Sequence, residues 1–280
     1  MGNGGHYRWQ KVKCQNQSSY GVKYALEDGG LYARADQLWV QSAGVTGFDQ
    51  QATDATGVTF SPSAHDSFFT GCSFNGCGTG IRFATLGNTF IGGSVESNAG
   101  VGMSVTGRGN PDAGTDPGLD TVKAAPVVYG TYFEGNGADN PGGSDDSDVL
   151  IQYQGGLTPT FRDTFLSGSG PADHAYYVQN GTSVYISNPH GPGFGASQDV
   201  YLAYVTDAVV ETVQPNVTVT LSGNQTRARV NGLVVDEGPG DTPSAGDYRP
   251  GDNVEWTDTT DGSGDGVYVV TTAGTVSGPI

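Results

Sequence analysis

Two glutamates stand at the same place in two copies of one short phrase. Val95-Glu96-Ser97-Asn98 aligns with Phe133-Glu134-Gly135-Asn136. If these copies lie on neighbouring strands, strand spacing brings the two carboxyls to roughly 5 Å, the separation of a retaining glycosidase pair. One strand further apart they approach the inverting range of ~6.5 to 9.5 Å. Two carboxyls so close split their pKa values and supply one acid and one base. The plainer role is structural: a glutamate at a turn accepts backbone hydrogen bonds, as Asn98 and Asn136 beside them would. Glu96 and Glu134 are therefore candidate catalytic residues at a position where binding is favoured over catalysis.

Other groups with chemical potential are acidic or aromatic. The excursion GADNPGGSDDSD begins soon after Glu134 and puts Asp145, Asp146 and Asp148 where they could overhang the pair. With the second acidic run, DTTDGSGDG, they are the only candidates for Ca²⁺ ligation, and neither run has EF-hand or nonapeptide spacing. Solvated acidic loops are the ordinary reading, and no other cofactor is implied. Tyr176, Tyr177, Tyr201 and Tyr204 supply rings that could stack on sugar faces, since one of two adjacent strand residues must face outward. His174 and His190 are lone histidines. Cys14, Cys72 and Cys77 have no metal-ligand spacing and read as small core residues. There is no nucleophile elbow, zinc motif or phosphate-binding glycine loop.

The elements that must position these groups are short. FFTGCSFNGCGTGIRF and NTFIGGSVESNAGVGMSV match at a period of 21, Phe69 on Phe90, Gly71 on Gly92, Ser73 on Ser94, Phe74 on Val95 and Asn75 on Glu96. Gly80 meets Gly102 after one inserted residue, and weaker copies start near 128, 161 and 185. Strand-like runs of three to five residues, bounded by Gly, Ser and Asn, recur with no helical periodicity. The expectation is an all-β chain: a right-handed parallel β-helix over 1–208, a β-rich closing segment and linker over 209–246, and a small C-terminal β module over 247–280. Stacked repeats of this length bury their apolar faces only against neighbours. Phe69, Phe74, Ile81, Phe83, Phe90, Ile91, Val95, Met103, Val105, Phe133, Ile151, Phe161 and Phe165 are the expected inward side chains. An antiparallel sandwich also uses short strands, but its Asn-Gly and Asp-Gly hairpin signals are sparse here.

Composition narrows the function classes. The net charge is −17, from 29 acidic residues, mostly Asp, against 12 Lys and Arg. Such a surface repels nucleic-acid phosphate, so nucleic acid is not an expected partner. No apolar run approaches a membrane span, so membrane insertion is not expected. The N-terminus MGNGGHYRWQKVK lacks the apolar stretch of a signal peptide. An Asp-rich, Lys-poor surface suits high salt, where screening removes its self-repulsion.

The wording NTFIGGSVESNAGVGM and VVYGTYFEGNG resembles the right-handed β-helix of the pectate-lyase-like superfamily, particularly viral tailspike and tail-fibre proteins. The terminal segment is similar to the small C-terminal module of such tailspikes, through Gly251, Asp252, Val254 and Trp256 and then Tyr268, Val269, Thr271, Ala273, Gly274 and Thr275. Together these cover most of residues 60–280. The chain departs from the pattern at Gly278-Pro279-Ile280, short of the aromatic tail such modules often carry, and the expectation is that no particle-binding domain precedes the repeats. The resemblance implies a homotrimer on the outside of a virion, attached to other tail or capsid proteins, that recognises host-surface polysaccharide or glycoprotein. With the acidic composition it implies a halophilic, archaeal host. Two alternatives stand beside it: a polysaccharide hydrolase using Glu96 and Glu134, and a structural virion decoration without a ligand. A lyase is less well supplied, with Arg82 and Arg108 the nearest basic candidates.

Overall fold

The computed structural model describes residues 7–23, 33–49, 66–84, 87–106, 124–137, 147–152, 158–167, 174–180, 183–192, 199–205, 207–212, 217–222, 227–238, 253–258, 266–272 and 275–279. Among these residues there are strands and turns and no helix. The strands form three sheets, of thirteen, six and eight strands; the chain visits them in rotation through six circuits, as far as His174–Gln179, and then alternates between the thirteen- and eight-stranded sheets up to Arg227–Val230. One circuit runs Phe68–Thr70, Ser73–Asn75, Thr79–Phe83, and the next Thr89–Ile91, Ser94–Glu96, Met103–Thr106. Each strand pairs in parallel with its counterpart one circuit earlier and one later. The pairing is that of the 21-residue alignment: Phe69 opposite Phe90, Ser73 opposite Ser94, Phe74 opposite Val95.

Why the strands are so short follows from the corners. Between the thirteen- and six-stranded sheets the chain turns through a residue of positive φ, and three successive circuits place glycine there: Gly71 (57°), Gly92 (62°) and Gly130 (62°). This left-handed conformation carries no Cβ penalty in glycine. The corner amides also stay bonded to the next circuit, Gly71 N–H donating to the Ile91 carbonyl (3.0 Å) and Gly92 N–H to that of Tyr129 (2.8 Å). Gln37 and Asp163 take the same corner at positive φ in other circuits.

Alternation along each strand sends one residue in and the next out. Inward columns run Ala35, Phe69, Phe90, Val128, Phe161 on the thirteen-stranded sheet, and Val40, Phe74, Val95, Phe133, Leu166 on the six-stranded one. All are buried. Phe48 meets Phe69 edge-on at 4.9 Å, and Phe69 stacks on Phe90 at 6.0 Å. Burying each such ring contributes about 2 to 3 kcal/mol. Two expected core residues face the other way. Ile91 is 37% exposed because its neighbour Phe90 takes the inward position, and Phe165 is half-buried on the outside because Leu166 points in.

The corner between the six- and eight-stranded sheets is closed by polar groups. Asn98 Oδ1 accepts from the Cys77 amide (2.9 Å), and its Nδ2 donates to Asn136 Oδ1 (2.8 Å). Asn136 Nδ2 donates in turn to the Val95 carbonyl (3.1 Å) and to Asp148 Oδ1 (2.6 Å). All five residues are buried, so these bonds satisfy groups that water does not reach. Cys72 and Cys77 are buried core residues, and burial pushes both thiols up from their ordinary pKa.

The parallel pairing runs on past residue 208, through Asp207–Glu211 and Val219–Ser222 to Arg227–Val230. There it changes. Arg227–Val230 pairs antiparallel with Leu233–Gly238, and Asn253–Asp258, Gly266–Thr272 and Thr275–Pro279 extend the thirteen-stranded sheet, the last two by antiparallel pairs.

Candidate functional site

The outer face of the six-stranded sheet carries two columns of side chains. One column runs Gln15, Gln41, Asn75, Glu96, Glu134. Glu96 and Glu134 thus sit directly opposite each other on adjacent parallel strands, on one face, as the alignment of their phrases predicts. Each is held differently. Asn75 Nδ2 lies 3.4 Å from Glu96 Oε2, whereas Glu134 accepts a short hydrogen bond from the Tyr132 hydroxyl two residues before it. That bond pushes the Tyr132 pKa up, because ionising the phenol would break it; slight burial and the nearby carboxylates act in the same direction.

The other column runs Lys13, Trp39, Ser73, Ser94, Tyr132, Phe165. The Lys13 ammonium sits 4.8 Å from the Trp39 ring centroid. At the other end Tyr132 stacks on Phe165 (5.3 Å, 13°), and Phe165 meets His190 edge-on (5.5 Å). Between Trp39 and Tyr132 there are only two serines, whose hydroxyls bond each other at 2.9 Å. The gap is an open notch of about 310 Å³, lined by Gln37, Leu38, Trp39, Gly71, Ser73, Asn75, Ser94 and Glu96. Trp39 is 50% exposed beside it.

The eight-stranded sheet presents a different outer surface. Tyr177 and Tyr201 are opposite each other on adjacent strands and stack at 4.9 Å and 28°. His174 closes the group, its ring 5.2 Å from Tyr177 and 4.9 Å from Tyr201. Partial burial and then the neighbouring Tyr201 raise the Tyr177 pKa. Of the four candidate tyrosines, then, these two come together. Tyr176 does not join them: it is fully buried, its hydroxyl 2.5 Å from that of Thr164, and burial drives its pKa up. It offers no face to a ligand, and its place inside follows from Tyr177 taking the outward position. Tyr204 is 59% exposed at a positive-φ turn after the strand, outside the ring cluster.

Of the acidic candidates, Asp145 and Asp146 lie outside the described residues, as does Arg108. Asp148 does not overhang the glutamates. It is buried in the strand Ser147–Gln152, bonded to Asn136, and is thereby part of the interior corner. Arg82 is engaged with the buried Asp49, at 3.5 Å. Among the described residues no three His, Cys, Asp or Glu side chains gather in a metal-binding group.

Sequence reasoning misses Trp39. Its signal is present in QLWVQ, a strand-like run, but residues 50–65 separate that circuit from the next and break the 21-residue spacing. Only the register Trp39–Ser73–Ser94–Tyr132 shows that a large ring is followed by two small side chains and then another ring.

No known protein family, curated protein or solved structure matches the chain. The arrangement itself offers two kinds of chemistry: flat aromatic faces for stacking, and a side-by-side carboxylate pair next to a notch.

Proposed function

We propose that the protein is a right-handed β-helix fibre or spike on the outside of a virus particle, and that it attaches to surface polysaccharide or glycoprotein of a halophilic, archaeal host. The observation that carries the attachment reading is the His174, Tyr177 and Tyr201 ring group, on the outer face of the eight-stranded sheet where a sugar chain can lie across it. The rotation of the chain through three sheets, with parallel pairing as far as Arg227–Val230, supports the coil. The −17 charge supports the saline setting. Assembly into a homotrimer and onto other tail or capsid proteins needs apolar outer surface, and Ile91, Val127 and Tyr129 form an exposed group on the thirteen-stranded sheet that suits a copy of the chain.

The test is retention of host-surface glycan on immobilised protein in concentrated salt, with new reducing ends followed in parallel. Retention without cleavage is the expected result, reduced about tenfold, or ~1.4 kcal/mol, in the double variant Tyr177→Ala/Tyr201→Ala. Undiminished retention in that variant removes the ring group from the reading.

A second reading, hydrolysis, is favoured by the register of Glu96 and Glu134 on adjacent strands. It predicts new reducing ends that vanish in Glu96→Gln or Glu134→Gln. No retention and no cleavage would leave a structural decoration.

A further inference from the structure

We infer that the notch between Trp39 and Tyr132 is a second ligand site, on a different sheet from the ring group, and that it takes a sugar carrying a free, protonated amine. The assignment rests on the reading that the protein binds surface glycan, and adds to it a place and a chemical class.

The notch has the shape of a subsite. Trp39 and Tyr132 are three strands apart in one register column, roughly 14 Å at the ~4.8 Å strand spacing. The serines between them leave the space that other side chains would fill. Trp39 has one face toward the Lys13 ammonium, and Lys13 does not line the notch; the indole also borders the space over Ser73 and Ser94. Its remaining face is therefore the wall on which a sugar ring stacks. The hydroxyls of Ser73 and Ser94 share one proton between them, which leaves the second proton and spare lone pairs for sugar hydroxyls. Asn75 and Gln37 add amides to the same lining.

Charge selects among sugars. The ionisable group lining the notch is Glu96, with Glu134 directly beside it on the next strand. Both carboxylates oppose a uronic acid or sulfated sugar, and the net charge of −17 adds to that repulsion. A protonated amine reverses the sign: it makes a charge-assisted hydrogen bond to Glu96 and lies close to an indole face, and Lys13 already occupies such a position on the other side of that ring. Neutral sugars lack this term.

Calorimetric titration of the full chain with a β-1,4-linked glucosamine oligomer, its N-acetylated counterpart and a polyuronate oligomer tests the inference. The glucosamine oligomer is expected to bind about tenfold or more tightly than the acetylated one, and the polyuronate not at all. Trp39→Ala should abolish binding. Glu96→Gln should weaken the glucosamine oligomer about tenfold and bring it level with the acetylated one. Ser73→Tyr, which blocks the notch and keeps the indole, should abolish binding even if Trp39→Ala fails to fold. Equal affinity for the free and acetylated oligomers, or binding that survives Ser73→Tyr, overturns the proposal. If no glucosamine oligomer binds while host glycan is retained through Tyr177 and Tyr201, the notch assignment fails and the attachment reading stands. Glucosamine binding lost in Trp39→Ala, with no host glycan retained, does the reverse.

Discussion

The outer faces of the six- and eight-stranded sheets are built by one rule and end as opposites. On both, parallel in-register pairing stacks like positions about 4.8 Å apart, close enough for rings to touch. On the eight-stranded sheet a ring follows a ring, and Tyr177 and Tyr201 stack on each other. On the six-stranded sheet a ring is followed by Ser73 and Ser94, and Trp39 keeps a face open. Whether such a surface becomes a shelf or a notch depends on side-chain size at one column position, with no change in backbone. The carboxylates sharpen the contrast: Glu96 lines the notch with Glu134 opposite it on the next strand, while histidine and tyrosine make up the shelf.

The largest effect should come from the corner that joins the two faces. Asn136→Ala removes the donor to Asp148 and the Val95 carbonyl and the acceptor for Asn98. A loss of about 3 kcal/mol is expected from buried groups deprived of a partner, read as a lower denaturant midpoint. Because the corner holds both sheets, glycan retention and notch binding should fall together at denaturant concentrations that leave the wild type intact. Loss of one without the other would mean that the faces are independently supported.

Tyr176→Phe tests the interior beneath the shelf. It deletes a buried bond to Thr164 and should cost about 1 kcal/mol at neutral pH. Burial raises the Tyr176 pKa above that of the unfolded chain. The stability this neutral hydroxyl contributes is then complete below about pH 10 and falls as pH rises above it, since the unfolded chain ionises first. The phenylalanine variant should show a shallower alkaline decline; an unchanged decline would place the titration elsewhere.

The smallest effects exchange the two faces. Tyr201→Ser should lose about 1 kcal/mol of ring stacking and open a gap beside Tyr177, whereas Ser94→Tyr should gain roughly 0.5 kcal/mol against Tyr132 and close the notch. Thermal unfolding checks both signs. A Ser94→Tyr variant that is strongly destabilised would show that the notch is not open space.

Much of this architecture is legible in the order of the amino acids. The match of Phe69 with Phe90 and of Glu96 with Glu134 sets the register of neighbouring strands, because parallel in-register pairing makes equal sequence positions spatial neighbours. Local alternation then supplies most of the core. It fails at Ile91 and Phe165, where an apolar residue sits beside another and hydrophobicity does not say which of the two turns inward; the corner geometry decides. It fails again at Asp148, which reads as part of an acidic excursion. The strand Ser147–Gln152 is covered on both faces, so its polarity does not alternate with burial, and its aspartate is held by an asparagine from the preceding corner.

Short strands, glycine corners, an acidic surface and the pairing of the two glutamates all follow from residue order, because each is local or repeats at a readable period. Which outward residues become neighbours across an interrupted period is settled by the folded chain alone. Trp39 meets Ser73 across 34 positions, and Ser94 meets Tyr132 across 38, because segments of different length separate strands that pair in register. Backbone hydrogen bonding restores the register after each insertion, and the notch exists only in that restored register.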